Sequence, residues 1–263
     1  MVATNSKPVI EIAGLSKSFN GGRPVISNLS LRIDEGEFVV ITGPSGIGKS
    51  LLLRIVCGLE KPTEGVVRLD GQPVTSPPLD FAIVFQDYRN SLLLWKTALE
   101  NVMLALTGSS SQRVRSAEKR ETARHYLHEV GLEEYGDYYP YQLSGGQQQR
   151  ICFARALAPN PRFLLLDEPF GSVDHLTKLE LEDLLLSLYC KHGFTCLMTT
   201  HDLDEAAYLA SRVIVFSRPS FGVRAEIKNN LPYPRSQDRT RFDPEFDWAR
   251  ARLYHLFTGR RDD

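Results

Sequence analysis

The 263-residue chain contains no run of about 18 or more consecutive apolar residues, which excludes a transmembrane helix of ordinary length. It has no surplus of charge of either sign: 31 Lys and Arg against 32 Asp and Glu leave −1, so no bulk field draws it to nucleic acid or anionic lipid. Cysteine is scarce and scattered (Cys57, Cys152, Cys190, Cys196), with no CxxC pair. A zinc or disulfide framework is therefore not expected, and a reducing cytoplasm is the simplest setting. The first eight residues, Met-Val-Ala-Thr-Asn-Ser-Lys-Pro, have no apolar core and do not read as a secretory signal. Internal repeats and long low-complexity tracts are missing too. What is left, 42% apolar and 24% charged, is the composition of a globular protein of one large or two small domains. Any action at a membrane would have to be peripheral.

Against that background one stretch stands out: Gly43-Pro44-Ser45-Gly46-Ile47-Gly48-Lys49-Ser50. It follows a strand-like run, Glu37 to Thr42, and leads into a helix-compatible run, Leu51 to Leu59. A strand that delivers the backbone into a tight turn, with a helix N-terminus behind it, makes an anion site. Glycines at 43, 46 and 48 let the backbone approach without a Cβ in the way. Lys49 should reach the β- and γ-phosphates, and the Ser50 hydroxyl should ligate Mg²⁺. The loop leaves open which phosphate chemistry follows.

The early chain reads as mainly β: Val9 to Ile12, then Val25 to Ile33, with Leu29 to Ile33 alternating as a half-buried strand should. Asn20-Gly21-Gly22 reads as a turn between them. Phe19 could face a base, although an aromatic there is more often core. Beyond the loop helix come strand candidates at Val66 to Leu69 and Phe81 to Phe85, the latter ending on Gln86. From Leu92 to about Tyr139 the character turns helical: Leu99 to Leu106, a Gly/Ser-rich connector at 107–112, and an amphipathic helix over Arg113 to Val130 with apolar residues that include Val114, Ala117, Ala123, Tyr126, Leu127 and Val130. Its charged run is read as a solvated face. Further on lie helices at Gln148 to Ala158, Leu176 to Tyr189 and Leu203 to Ser211. They alternate with strands at Arg162 to Leu166, Thr195 to Thr199 and Val213 to Phe216. After a turn at 219–222, Val223 to Ile227 is a last strand candidate. The alternation implies a parallel sheet with right-handed crossovers. In the tail, Phe246, Ala249, Leu253, Leu256 and Phe257 can share one helical face, read as packing on the chain's own domain rather than as a partner-binding tail.

An enzyme that transfers a phosphoryl group to water needs the cradle, a Mg²⁺ carboxylate and a group that orients or deprotonates the water. Asp167 closes a buried strand, where ligands of open α/β sheets bind, and is the natural Mg²⁺ carboxylate. Glu168 beside it suits a general base.

With Leu143-Ser144-Gly145-Gly146-Gln147 the chain resembles the ATP-binding cassette (ABC) family, which carries this LSGGQ signature. The glycine loop, Gln86, the signature, Asp167-Glu168 and His201 follow in that family's order and spacing, over Ile10 to about Ile227. The resemblance implies an α/β fold of the P-loop NTPase type, with a mainly parallel core sheet, an N-terminal antiparallel β subdomain and an inserted α-helical subdomain. The expected cassette domain covers 8–228, with the helical insertion at about 92–160 and a short C-terminal extension at 229–263. ATP and Mg²⁺ are the implied cofactors. Carried over residue by residue, Phe19 is similar to the aromatic that stacks on adenine. Gly43, Pro44, Ser45, Gly46, Ile47, Gly48, Lys49, Ser50 and Leu51 form the phosphate loop. Ser50, Gln86 and Asp167 serve the metal, and Glu168, His201, Gln86 and Lys49 the reaction. Ser144, Gly145, Gly146 and Gln147 would complete the site of a second, identical or related ATPase subunit, and Asp174 resembles the aspartate that signals across such a dimer.

Phe85-Gln86-Asp87-Tyr88-Arg89-Asn90-Ser91-Leu92 with Trp95, and Ser217-Arg218-Pro219, look most like the nitrate, sulfonate, taurine and bicarbonate importer group. That resemblance implies an ATPase docked on separate integral membrane permease subunits at the cytoplasmic face of the inner membrane. A substrate-binding protein would be an indirect partner, and nucleic acid no partner. The chain departs from the pattern at Leu51, Leu94 and Ser172-Val173, and none of these departures removes a phosphate or metal ligand. Another importer class or a non-transport ABC protein remains an alternative. A DNA-repair cassette is disfavoured, because fewer than 100 residues without sustained heptads separate loop and signature.

Overall fold

The computed structural model describes residues 8–19, 22–107, 115–217 and 222–258. The expected connector at 107–112, the start of the charged run with Val114, the turns at 20–22 and 219–222, and Arg218-Pro219 fall wholly or largely outside them. In chain order the elements are β1 (Pro8–Lys17), β2 (Ile26–Asp34), β3 (Phe38–Thr42), α1 (Lys49–Val56), β4 (Glu64–Leu69), β5 (Gln72–Pro73), β6 (Phe81–Val84), α2 (Tyr88–Ser91), α3 (Ala98–Ala105), α4 (Ser116–Glu129), α5 (Gly145–Leu157), β7 (Phe163–Asp167), α6 (His175–His192), β8 (Thr195–Thr200), α7 (Leu203–Leu209), β9 (Arg212–Ser217), β10 (Gly222–Lys228), α8 (Gln237–Thr240) and α9 (Pro244–Thr258). Two compact units result, one drawn from Met1–Pro78 and Gly193–Asp263, the other from Leu79–His192.

The first unit holds two sheets. The antiparallel one has the order β2-β1-β4-β5. β1, one of its two inner strands, is longer than Val9 to Ile12, because it runs through an irregularity rather than stopping. Pairing with β2 shifts register between Ile12 and Leu15, and pairing with β4 between Ala13 and Ser16. Gly14 sits there at φ +58, and Gly65 of β4, at φ +80, approaches so closely that a Cβ on it would lie 2.4 Å from the Gly14 carbonyl oxygen. Only glycine fits that contact. In the other sheet β3 is flanked by β8 and β9, both parallel to it, and β10 pairs antiparallel with β9. β3 is buried along its whole length, as a strand covered on both faces must be, which is why it reads as a continuous apolar run. α9 packs on α7 and β9 of the same unit through Phe246, Ala249 and Leu253.

In the second unit β6 and β7 pair in parallel, and α5 packs against α2, α3, α4, α6 and β6. α3 opens with a capping box between Thr97 and Glu100. α4 buries Ala123, Tyr126 and Leu127, whereas Ala117, expected on that face, is exposed. α5 starts at Gly145, three residues ahead of the expected Gln148, because Ser144 caps it.

Candidate functional site

In the first unit, β3 hands the backbone to the glycine loop. A Cβ at Gly43 would lie 2.8 Å from the Phe216 carbonyl oxygen of β9, so the close approach excludes any larger residue. Gly46 and Gly48 take φ +72 and +102, the left-handed region where glycine is at no disadvantage. Pro44, Ser45 and Gly46 form the open rim. The Ile47 side chain is buried, so only its backbone can face a ligand. Lys49 is buried and donates from Nζ to the carbonyls of Gly43 (2.8 Å) and Pro44 (3.3 Å), tying the two ends of the loop together. α1 begins at Lys49, and its N-cap, Gly48, supplies no side-chain acceptor. The first-turn N–H groups of α1, Ser50 and Leu51 among them, thus receive no cap from that residue. A tight, glycine-bounded cradle at a helix start with no side-chain cap fits a phosphate.

Also in this unit, Phe19 is half exposed, with Lys17 Nζ 5.0 Å from its ring centre. Lys17 is itself fixed by Glu60 at 2.7 Å. His201 is exposed and sits between two locked elements. Before it, the Thr200 hydroxyl donates to Glu205 Oε2 at 2.5 Å. After it, Asp202 caps α7 by accepting from the N–H groups of Asp204 (2.8 Å) and Glu205 (3.3 Å). The sequence reading overlooked this frame, although Asp202 three residues before Glu205 is a legible helix-start signal.

In the second unit, Val84 of β6 stands opposite Leu166 of β7. Two residues further along each strand come Gln86 and Glu168, and Gln86 Nε2 lies 3.4 Å from Glu168 Oε2. The register brings together two residues 82 positions apart. Asp167 is buried at the strand end and the Glu168 side chain is half-buried. Glu168 has φ +43, and among the positive-φ residues other than glycine its companions are all Asn or Asp, the types that tolerate this region.

The signature lies at the start of α5. Ser144 Oγ accepts from the Gln147 N–H (3.2 Å), and Gln147 Oε1 accepts from the Ser144 N–H (2.9 Å). This reciprocal pair is a capping box, and it occupies the Gln147 side chain. Gly145 is half-buried. A Cβ on Gly146 would lie 2.4 Å from Thr177 Cγ2, so this glycine is also what lets α5 and α6 approach. Asp174 caps α6 through the Thr177 N–H at 3.1 Å, and its hydrogen bonds with the Thr177 side chain and backbone hold its carboxyl below the ordinary range. Missed in the sequence were Asn101 and Arg155. Asn101 is fully buried; its Nδ2 donates to the carbonyls of Leu93, Lys96 and Thr97, and its Oδ1 accepts from the Leu93 N–H. It staples a loop that presents Leu94 and Trp95, 50% and 72% exposed. Neither residue carries a spacing signal that sequence alone could decode.

Comparison with known proteins gives a consistent picture. Residues 26–171 match the family model described as ABC transporter. The chain is 42% identical over 250 residues to a bicarbonate transport ATP-binding protein, CmpD, of Synechocystis sp., covering 94% of this chain and 87% of that one. It is 43% identical over 219 residues to the aliphatic sulfonates import ATP-binding protein SsuB 2 of Agrobacterium fabrum, covering 83% and 80%. Among solved structures it resembles the ATP-binding cassette MJ0796, seen as a dimer in a post-hydrolysis state bound to ADP and Pi, with TM-score 0.72, 35% identity and coverage of 83% and 98%.

Proposed function

The chain belongs to the ABC transporter family, as an ATP-binding cassette with ATPase activity, and from that premise we propose how its residues divide the work. The loop Gly43–Ser50 holds the β- and γ-phosphates through its N–H groups and Lys49, and Phe19 stacks on the adenine. Ser50, Asp167 and Gln86 would hold Mg²⁺, which would supply positive charge to offset that of the phosphates. Glu168 accepts the proton of the attacking water as the new P–O bond forms and the bond to the bridging oxygen breaks, releasing ADP. Gln86 orients that water, and His201 contacts the γ-phosphate. The observation that carries this assignment is the β6–β7 register, which sets the Gln86 amide against the Glu168 carboxylate. A glutamate this placed, at a backbone angle that disfavours it, is supported as a functional rather than a structural choice.

The working form in this reading is an ATP-sandwich dimer, in which Ser144, Gly145, Gly146 and Gln147 of one subunit complete the site of the other. The solved relative, a cassette seen as a dimer in a post-hydrolysis state, supports that form. The cargo is a small anion of the bicarbonate or sulfonate class, taken up through separate membrane permeases fed by a substrate-binding protein. The identity to proteins named for those cargoes supports this. Among the described residues no helix is long and apolar enough to cross a membrane. In this reading the chain docks peripherally at the cytoplasmic face through the loop of Leu94 and Trp95. Glu168→Gln tests the chemistry: turnover falls about 10²–10⁴-fold while ATP still binds and the dimer persists. Near-normal turnover would remove Glu168 from the role.

A further inference from the structure

Arg155 lies in the last turn of α5, the helix whose first turn carries Ser144–Gln147. Its guanidinium reaches out of that helix to a single residue: Nη1 donates to the Ser91 carbonyl at 2.6 Å, and Nη2 to Ser91 Oγ at 3.0 Å. Ser91 closes α2, the four-residue helix that follows Gln86 after one intervening residue, Asp87. Asp87 caps the other end of α2, accepting from the Asn90 N–H at 3.2 Å. The segment from Gln86 to Ser91 is thus one capped turn, clamped at its C-terminal carbonyl end by a cation. That is the end where positive charge is favoured, and a planar fork fixes direction as well as distance. α2 is too short to hold its own shape, since one turn does not offset the cost of helix nucleation. Its placement therefore depends on its packing against α5, in which the Arg155 fork is the contact that holds its C-terminal carbonyl, and Gln86 inherits that placement.

We infer that Arg155 is a positioning residue for hydrolysis: it ties the signature-bearing helix to the turn that aims Gln86 at Glu168. This rests on the role proposed above for Gln86. A rigid α5 spans about 16 Å from Ser144 to Arg155 at about 1.5 Å per residue. Displacement of the signature end is therefore delivered to the Gln86 segment without an intervening loop. Arg155 does not touch the nucleotide in this scheme, so its loss acts on turnover and not on ATP affinity.

The test is a double-mutant cycle on the purified chain, read as kcat and KM for MgATP. Arg155→Lys keeps the charge but loses the fork, and is expected to lower kcat about tenfold with KM unchanged. Ser91→Ala, which removes the Oγ contacts to Arg155 and to Cys152 Sγ (3.6 Å) but keeps the carbonyl bond, should lower it by about threefold and covers the case of an unstable Arg155 variant. Gln86→Ala should lower kcat by itself, and adding Arg155→Lys or Ser91→Ala to it should cost nothing further. If Gln86→Ala lowers kcat but the second substitution multiplies the loss in full, Arg155 does not act through Gln86 and the inference fails. A KM rise equal to the kcat loss also overturns it. If Gln86→Ala leaves kcat unchanged, the proposed role of Gln86 is what fails, and the positioning role falls with it.

Discussion

Replacing Gly146 by alanine puts a methyl group where the chain has left no room. The new Cβ would lie 2.4 Å from Thr177 Cγ2, about 1 Å inside an ordinary carbon–carbon contact. Neither side gives way easily. Gly146 is in the first turn of α5, behind the Ser144–Gln147 capping box, and Thr177 is in the first turn of α6, its N–H held by Asp174 at 3.1 Å. Overpacking of this kind costs about 1–3 kcal/mol. The better helix propensity of alanine returns less than about 1 kcal/mol at an exposed interior position, and less near a helix start. The net loss is then about 1–2 kcal/mol, a fall in Tm of about 2–8 °C for a chain of this size. A thermal melt without nucleotide reads it. Thr177→Ser deletes the offending Cγ2 while keeping the hydroxyl, so the double variant should regain most of the lost Tm. A Gly146→Ala melt indistinguishable from the parent, or a double variant no more stable than the single one, would refute the packing argument.

Ser144→Arg should leave nucleotide binding by a single chain intact, measured by equilibrium titration, yet abolish turnover; unchanged turnover would argue against a site shared between two copies. Asn101→Ala removes the partner of four backbone groups around Leu94 and Trp95, and should destabilise by about 1–3 kcal/mol in urea titration. Glu129, at the end of α4, meets His125 (2.9 Å), Lys191 (2.7 Å) and His192 (2.7 Å). Burial pushes its carboxyl up, but the hydrogen bonds and charges of Lys191 and His192 outweigh that and hold it below the ordinary glutamate range. A lowered folded-state value contributes stability that is complete above the unfolded value and is lost as pH falls through the folded one. The stability gap between the parent and Glu129→Gln should therefore narrow as pH drops through the glutamate range, and a gap independent of pH would contradict this.

Much of the fold was legible because periodicity carried it. β3 and β7 announced themselves as continuous apolar runs, and the alternating order of helices and strands pointed to a parallel sheet. The glycine loop and the signature were readable as motifs because their chemistry needs fixed spacing. What escaped depends on contacts across the chain. β1 looked short because Gly14 resembles a strand end, and only Gly65 opposite explains why the strand continues. Ala117 seemed to belong to the apolar face of α4, yet side-chain periodicity cannot say where burial begins along a helix. The juxtaposition of Gln86 and Glu168 required the register of β6 and β7, and the staples made by Arg155 and Asn101 are single side chains reaching distant carbonyls. None of these has a sequence signature.

The backbone angle at Glu168 has a consequence for how this protein can change. At φ +43 a residue with a side chain gives up about 1–2 kcal/mol that glycine would not. The residue that would make the chain most durable at position 168 is thus not the residue that the proposed chemistry requires. Selection for heat resistance alone and selection for turnover alone pull this one codon in opposite directions. On the proposed role, the glutamate marks an exchange of durability for reactivity, written into the main chain rather than the side chain.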